Sequence, residues 1–335
     1  MSVIFMDSFQ HYATADITKK WSTMSNVSIA AASGRRGGNA ANFAMSAYLS
    51  QVLTAAYSGL IVGFALKPIA SPSGNLPIVS LRDASSEQVT IIYLSDGTVK
   101  AVRGPASGVV LSSSAPGAIP PGVWSYVEVS AIIHDTAGAV TVKVNGTTVL
   151  TVTGVDTQDT ANAYSTVVYF YTLNNQTYLL NDLYLLDPGT APNTTFLGDV
   201  RVDAYYPTAD GASSQWTPTP SGAHYANVDE TAPNGTDYIE ADIAGYVDLF
   251  QAQDLAVTPG AFFAVQLCAA ALKTDAGSRQ IKGVVRRSLV NYASVGKDVS
   301  DTQKYVLNQW NTDPSTAAAW TKAGFDAAEF GVELV

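Results

Sequence analysis

The residues able to do chemistry are few and scattered. Three histidines, His11, His134 and His224, lie far apart, and none has a second histidine or a cysteine at metal-ligand spacing. His134 falls in the turn-like run His134-Asp135-Thr136-Ala137-Gly138, where solvation is expected. The lone cysteine, Cys268, sits in the apolar run Phe262–Cys268 and reads as a small buried hydrophobe. The run Gly34-Arg35-Arg36-Gly37-Gly38 has glycines at the wrong spacing for a phosphate cradle. There is no P-loop, dinucleotide fingerprint or Gly-x-Ser-x-Gly elbow, so neither a metal nor a cofactor is expected. Asp182 could ligate calcium at a sandwich rim. Calcium takes roughly six or more oxygens, and no Asp-x-Asp-x-Asp loop supplies them, so a strand-end aspartate bonded to backbone is the preferred reading. Five tyrosines, Tyr164, Tyr169, Tyr171, Tyr178 and Tyr184, are placed either to line a sugar groove or to cover sandwich faces.

The strongest hint of catalysis is Glu240-Ala241-Asp242-Ile243-Ala244-Gly245. Glycosidases work with two carboxylates flanking the scissile bond. The segment resembles the Glu-x-Asp-x-x-Glu signature of jelly-roll glucanases until Gly245, which stands where the second carboxylate belongs. That leaves no acid/base partner, and the chain is expected to be non-enzymatic, with no catalytic residues.

These residues sit in a chain dominated by period-2 alternation. Val123, Val127, Val129, Ala131 and Ile133 fall on one strand face, and Trp124, Tyr126, Glu128 and Ser130 on the other. Asn145-Gly146 between two β-rich runs signals a hairpin, because both residues tolerate positive φ. Further strands are predicted at 59–66, 76–81, 88–93, 98–102, 167–171 and 177–186, with strand and loop over 40–53. The turn-rich run Asp187–Asn193 marks a boundary between domains 1–192 and 193–335. After it come a strand from Val200, a loop over 207–222, a strand pair at 261–272 and 279–285 joined by Lys273–Ser278, and a last strand at 330–334. One short helix is predicted, with Asp313 as N-cap, Pro314 first, and an end near Gly324. The fold class is therefore all-β: two β-sandwich, jelly-roll-like domains with at most one or two short helices.

Only 14% of the 335 residues are charged, 47% are hydrophobic, and the net charge is −10. No basic cluster exceeds Arg35-Arg36 or Arg286-Arg287, so nucleic acid and anionic membranes are not expected partners. The N-terminal residues lack the pattern of a secretion signal, and no run is long and apolar enough for a membrane span. A charge-poor surface suits packing among neighbours. The aromatic-rich segments Val167–Leu186 and Tyr205–Tyr225 flank the boundary. Trp216, Pro218, Tyr205 and Tyr225 are the candidate partner-binding residues, with Trp216 as an anchor. The competing reading puts Trp216 in the second domain's own core.

The first domain resembles the concanavalin A-like/laminin G-like jelly roll. The resemblance rests on Gly122–Val129, on Ala137–Gly146 with its terminal Val144-Asn145-Gly146, and on Leu180–Asp187. In that family the closing strand pairs back near an N-terminal Asp-Ser-Phe, which Asp7-Ser8-Phe9 matches. The whole chain resembles bacteriophage virion proteins with such a first domain, as in Phe196–Val202, Trp216-Thr217-Pro218 and Ala328–Leu334. The resemblance implies a multi-copy virion protein, tail-associated or capsid-decorating. Its partners would be other virion proteins and copies of itself, after synthesis in the host cytoplasm. The alternative is a carbohydrate-binding module that adheres to host-surface glycan through an aromatic groove.

Overall fold

A computed structural model describes residues 2–173 and 176–335. Met1, and Asn174 and Asn175 within the expected aromatic-rich segment, lie outside the described residues. The chain divides into two compact units: unit 1 is Met1–Gln10 with Trp21–Asp203, and unit 2 is His11–Lys20 with Ala204–Val335. The division thus falls after Asp203 instead of at 192/193, and a piece of the N-terminal region belongs with the C-terminal unit.

Unit 1 contains β1 (Val3–Asp7), β2 (Thr23–Ala30), β3 (Ala40–Tyr57), β4 (Gly59–Pro68), β5 (Leu76–Asp83), β6 (Ser86–Tyr93) and β7 (Val99–Arg103). It continues with β8 (Val109–Ser113), β9 (Ser125–Ile132), β10 (Gly138–Val144), β11 (Thr147–Val155), β12 (Ser165–Tyr171) and β13 (Tyr178–Leu186). The ladder runs β11-β10-β9-β4-β13-β3-β12-β5-β6-β7-β8, with β1 on β13 and β2 on β3. The expected closure is present, since Asp7 pairs with Leu183 and Met6 with Tyr184. Asn145 and Gly146 take φ of 50° and 80°, as a tight hairpin between twisted strands requires.

The alternation translates directly into faces. In β12, Val168 and Phe170 are fully buried, while Tyr169 and Tyr171 point to the other face and stay half-exposed. The core holds Phe5, Trp21, Phe64 and Phe170 in edge-on contacts with centroids 5.0–6.4 Å apart. Such pairs add about 0.5–1.5 kcal/mol each beyond the area they bury. β3 is one long strand, where strand and loop were expected. Besides β2 it serves two partners: Ala41–Phe43 pair with β13, and Tyr48–Val52 pair with β12. Between them Ser46 takes φ 52°, opposite a bulge at Asn26, also at φ 52°. Thr172 staples this kink, its hydroxyl accepting from the Ala47 N–H at 2.8 Å and donating to the Ala44 carbonyl at 2.6 Å.

Unit 2 contains β14 (Pro207–Ser214), β15 (Thr217–Thr219), β16 (Tyr238–Glu240), β17 (Val247–Ala252), β18 (Val265–Ala271), β19 (Gln280–Arg287) and β20 (Val290–Ala293). It ends with β21 (Lys297–Asp298), β22 (Lys304–Trp310) and β23 (Glu329–Leu334), and has two short α-helices, α1 (Ile17–Lys20) and α2 (Lys322–Asp326). One sheet runs β14-β17-β23-β19-β20, with β21 on β19, and the pairs β15-β16 and β18-β22 stand apart. Leu267, Ala269 and Ala271 of β18 pack over Ile281, Val332 and Leu334 of the larger sheet. A second cluster gathers Val285, Trp320, Phe325 and Phe330.

Four local expectations for this half are corrected. The pair at 261–272 and 279–285 does not form a hairpin, because β18 pairs with β22 while β19 lies between β20 and β23. Their apolar faces meet across a core, so the connection crosses the sandwich. No strand forms at 200–205, since the Val202 N–H is taken by the Asp182 carboxylate at 3.0 Å instead of by a neighbouring strand. The loop expected at 207–222 contains β14 and β15. The helix begins at Lys322, not after Asp313. Ala317 at φ 57° closes a turn over 313–318 in which the Asp313 carboxylate accepts from the Ser315 N–H. Thr321 is the true N-cap, accepting from the Gly324 N–H.

A tyrosine and arginine ladder as candidate functional site

On the open face of unit 1 the register of β3, β12, β5 and β6 brings distant residues into one row. Tyr171 pairs with Tyr48, Val167 with Arg82, and Arg82 with Glu87, and opposite residues in antiparallel strands share a face. Tyr48 and Tyr169 stack with centroids 5.4 Å apart and planes 17° apart. The Arg82 guanidinium lies 3.4 Å from the Tyr169 ring centroid and 5.4 Å from that of Tyr171. Its Nη2 donates to Glu87 Oε1 at 2.5 Å, and the two side chains keep 14% and 20% of their surface exposed. The row Glu87–Arg82–Tyr169–Tyr48 crosses four strands, about 14 Å at the usual strand spacing.

A floor of hydroxyls supports the row. The Thr23 and Ser50 hydroxyls are 2.6 Å apart. The Thr90 hydroxyl donates to the Gly104 carbonyl at 2.7 Å and lies 3.2 Å from Ser80 Oγ. Gln88, buried beneath, pins the 159–164 loop: its amide donates to Thr160 and to the carbonyls of Asn162 and Tyr164, and its oxygen accepts from the Asp159 and Thr160 N–H groups. Burial raises the Tyr169 phenol, against the pull of Arg82. Tyr171 is pushed up to about 12, first by burial and then by the charge of Glu87. Both phenols are therefore neutral donors at ordinary pH.

Of the five sequence-flagged tyrosines, Tyr169 and Tyr171 lie in this row. Tyr164 stands at the pinned loop through its carbonyl. Tyr178 and Tyr184, at 0% and 2% exposure, are core residues and cannot line a groove. Sequence reading missed Tyr48, Arg82 and Glu87. Their proximity depends on pairings between strands far apart in the chain; the available signal was the outward-facing Tyr169/Tyr171 alternation in a strand whose neighbours were unknown.

Other flagged residues fall elsewhere. Asp182 is not at a strand end. It sits inside β13 at φ 47°, its carboxylate 4% exposed and facing Arg35 Nη1 at 3.7 Å and Arg36 Nε at 4.0 Å. Burial raises its pKa; the Val202 N–H and the two arginines oppose that. Gly245 takes φ 87° and donates its N–H to the Leu334 carbonyl, a turn that disfavours any side chain at that point of the glucanase-like frame. In unit 2, Trp216 packs on the cluster of Ile281, Val299, Val306, Val332 and Leu334, and its indole donates to the Tyr246 carbonyl at 3.0 Å. Tyr205 packs against the other cluster, edge-on to Phe325. Pro218 lies in β15 opposite Ile239. Tyr225 begins a single 3-10 turn, its N–H donating to Asp210 Oδ1 at 2.7 Å. A His–Asp pair that no motif announced joins His224 Nδ1 to Asp248 Oδ2 at 2.6 Å, while Asp248 Oδ1 accepts from the Gln215 and Trp216 N–H groups.

No protein-family model matches the chain, and no curated protein matches it. Among solved structures it is similar to the cellulose-induced protein Cip1, at 14% identity and TM-score 0.42, covering 54% of this chain and 94% of that one. A protein with a galectin-like fold from Bacillus subtilis gives 13% identity, TM-score 0.39 and coverage of 56% and 96%. The alginate lyase Aly36B gives 12% identity, TM-score 0.35 and coverage of 56% and 95%. With a lyase among these structures, the expectation of a non-enzymatic chain is withdrawn, because the sandwich does not by itself mark a non-enzyme.

Proposed function

We propose that unit 1 is a glycan-binding sandwich and that the row Glu87–Arg82–Tyr169–Tyr48, with Tyr171, is its contact face. The observation that carries this reading is the stacking of Arg82 on Tyr169 beside Tyr48 on an open sheet face. With Tyr169 held between Arg82 and Tyr48, the row offers its phenol hydroxyls and the charged pair as donors and acceptors for sugar hydroxyls. The row is long enough for a short oligosaccharide. The test is titration of the full chain against an oligosaccharide panel, with Arg82→Ala and Tyr169→Ala as variants and their melts as folding controls. Loss of roughly tenfold or more in affinity with an unchanged melt supports the proposal. A wild type that binds no glycan, or variants that bind as well as wild type, would overturn it.

A second reading is a virion component that packs against copies of itself; the surface of unit 2 supports the self-association in it. Leu289 is 84% exposed and Val290 50% exposed, at the turn that leads into edge strand β20. Apolar side chains so exposed favour a contact surface. Sedimentation of the wild-type chain checks it, and a monomer at all concentrations counts against it.

A further inference from the structure

The charges of the tyrosine face decide which glycans it accepts, if the glycan-binding reading above holds. Arg82 is the cation within the row, and Glu87 neutralises it at 2.5 Å. Arg103, on the neighbouring β7, is likewise occupied by Asp156 and Asp159. Asp83, beside Arg82 in sequence, accepts hydrogen bonds from Thr160 and Asn162 and adds negative charge at this edge. The chain as a whole carries −10. A carboxylate or sulfate approaching Arg82 would have to displace Glu87 or share the guanidinium with it, and like charges brought together oppose binding. An uncharged sugar meets no such conflict. One of its hydroxyls accepts from the guanidinium while its neighbour donates to the Glu87 carboxylate, so donor and acceptor on the protein match adjacent hydroxyls on the ring.

We infer that the face takes neutral hexose chains and that Glu87 is the specificity-determining residue that turns acidic glycans away. The experiment uses the full chain and matched oligosaccharides that are neutral, uronate-containing, sialylated or sulfated, each at low and high salt. Wild type is expected to bind the neutral members with little salt dependence and the acidic members at least ~tenfold more weakly. Glu87→Gln frees Arg82 and is expected to raise affinity for acidic members by ~tenfold at low salt, a gain erased at high salt. Arg82→Ala is expected to abolish both. Wild-type preference for acidic over matched neutral glycans, lost on Arg82→Ala, would overturn this inference and leave glycan binding standing. A folded Glu87→Gln with no gain toward acidic members would remove Glu87 from the role assigned to it. Wild type that binds no glycan would overturn the glycan-binding reading and this inference together. The wild-type comparison needs no variant, so misfolding of Glu87→Gln does not shelter the claim.

Discussion

Tyr184→Phe tests the clasp that makes residues 196–203 part of unit 1. The Tyr184 hydroxyl donates to Glu128 Oε1 at 2.6 Å and accepts from the Leu197 N–H at 3.2 Å. Glu128 is 1% exposed and takes a further hydrogen bond from the Gly198 N–H at 2.8 Å. Burial and the Glu128 charge drive the Tyr184 phenol far above its ordinary range, so it remains a donor at any working pH. Removing the hydroxyl deletes a hydrogen bond to a buried charged group, about 1.5–3 kcal/mol. It also leaves the half-buried Leu197 N–H without its acceptor, about 1 kcal/mol more. The ring stays, so no cavity opens. The sum, about 3 kcal/mol, corresponds to a fall of roughly 6–12 °C in the melt of a unit this size. Hydrogen exchange should accelerate first at 196–203, ahead of the sheet. A melt within about 1 °C of wild type, or exchange that speeds up evenly across unit 1, would refute the clasp.

Trp216→Ala separates the two readings of that residue. Its packing on the unit 2 cluster predicts a loss of about 2–4 kcal/mol and a lowered melt; an unchanged melt with lost self-association would assign it to an interface instead. Glu230 is pushed up to about 7, first by burial and then by hydrogen bonding to Asp237 and the charges of Asp237 and Asp229. A raised folded pKa stabilises the protein fully below the ordinary value of 4.5 and loses that contribution as pH rises through about 7. Stability of unit 2 should therefore decline across that window and flatten in Glu230→Gln; an NMR titration placing Glu230 in the ordinary carboxylate range would contradict this.

The all-β fold was legible because alternation survives in the sequence wherever one strand face is buried. β10, with its strict inward Val140, Val142 and Val144, and the Asn145-Gly146 turn could be read off directly. Strand partners could not, since register between β18 and β22, or β3 and β12, depends on which apolar faces meet in space. The turn signals at Asp187–Asn193 are real, but the chain beyond them is held by the side chains of Glu128, Asp182 and Tyr184, and nothing local marks that hold. The helix was displaced because Asp313, a good cap by type, is used in a turn and by Arg287 at 3.1 Å. The candidate site was half legible: Tyr169 and Tyr171 stood out, while Arg82 and Glu87 resembled any charged strand residues.

The segment His11–Lys20 belongs to unit 2, held by Tyr305 donating to the His11 carbonyl at 2.7 Å and by Lys304 donating to the Thr18 carbonyl at 2.5 Å. On the ribosome this segment emerges before the rest of unit 1, yet the strand it joins is made only after unit 1 has been synthesised. At about 5–20 residues per second it waits on the order of 15–60 s for Lys304 and Tyr305. Unit 1 must therefore begin to fold with a loop spooled out between β1 and β2, flanked by the Asp7–Trp21 hydrogen bond at 2.7 Å that closes its neck. For protein engineering, neither half is a portable cassette. A cut after Asp203 strands ten residues with the wrong partner, and a transplanted unit 2 would need the 11–20 segment supplied as a separate peptide or grafted onto its own terminus.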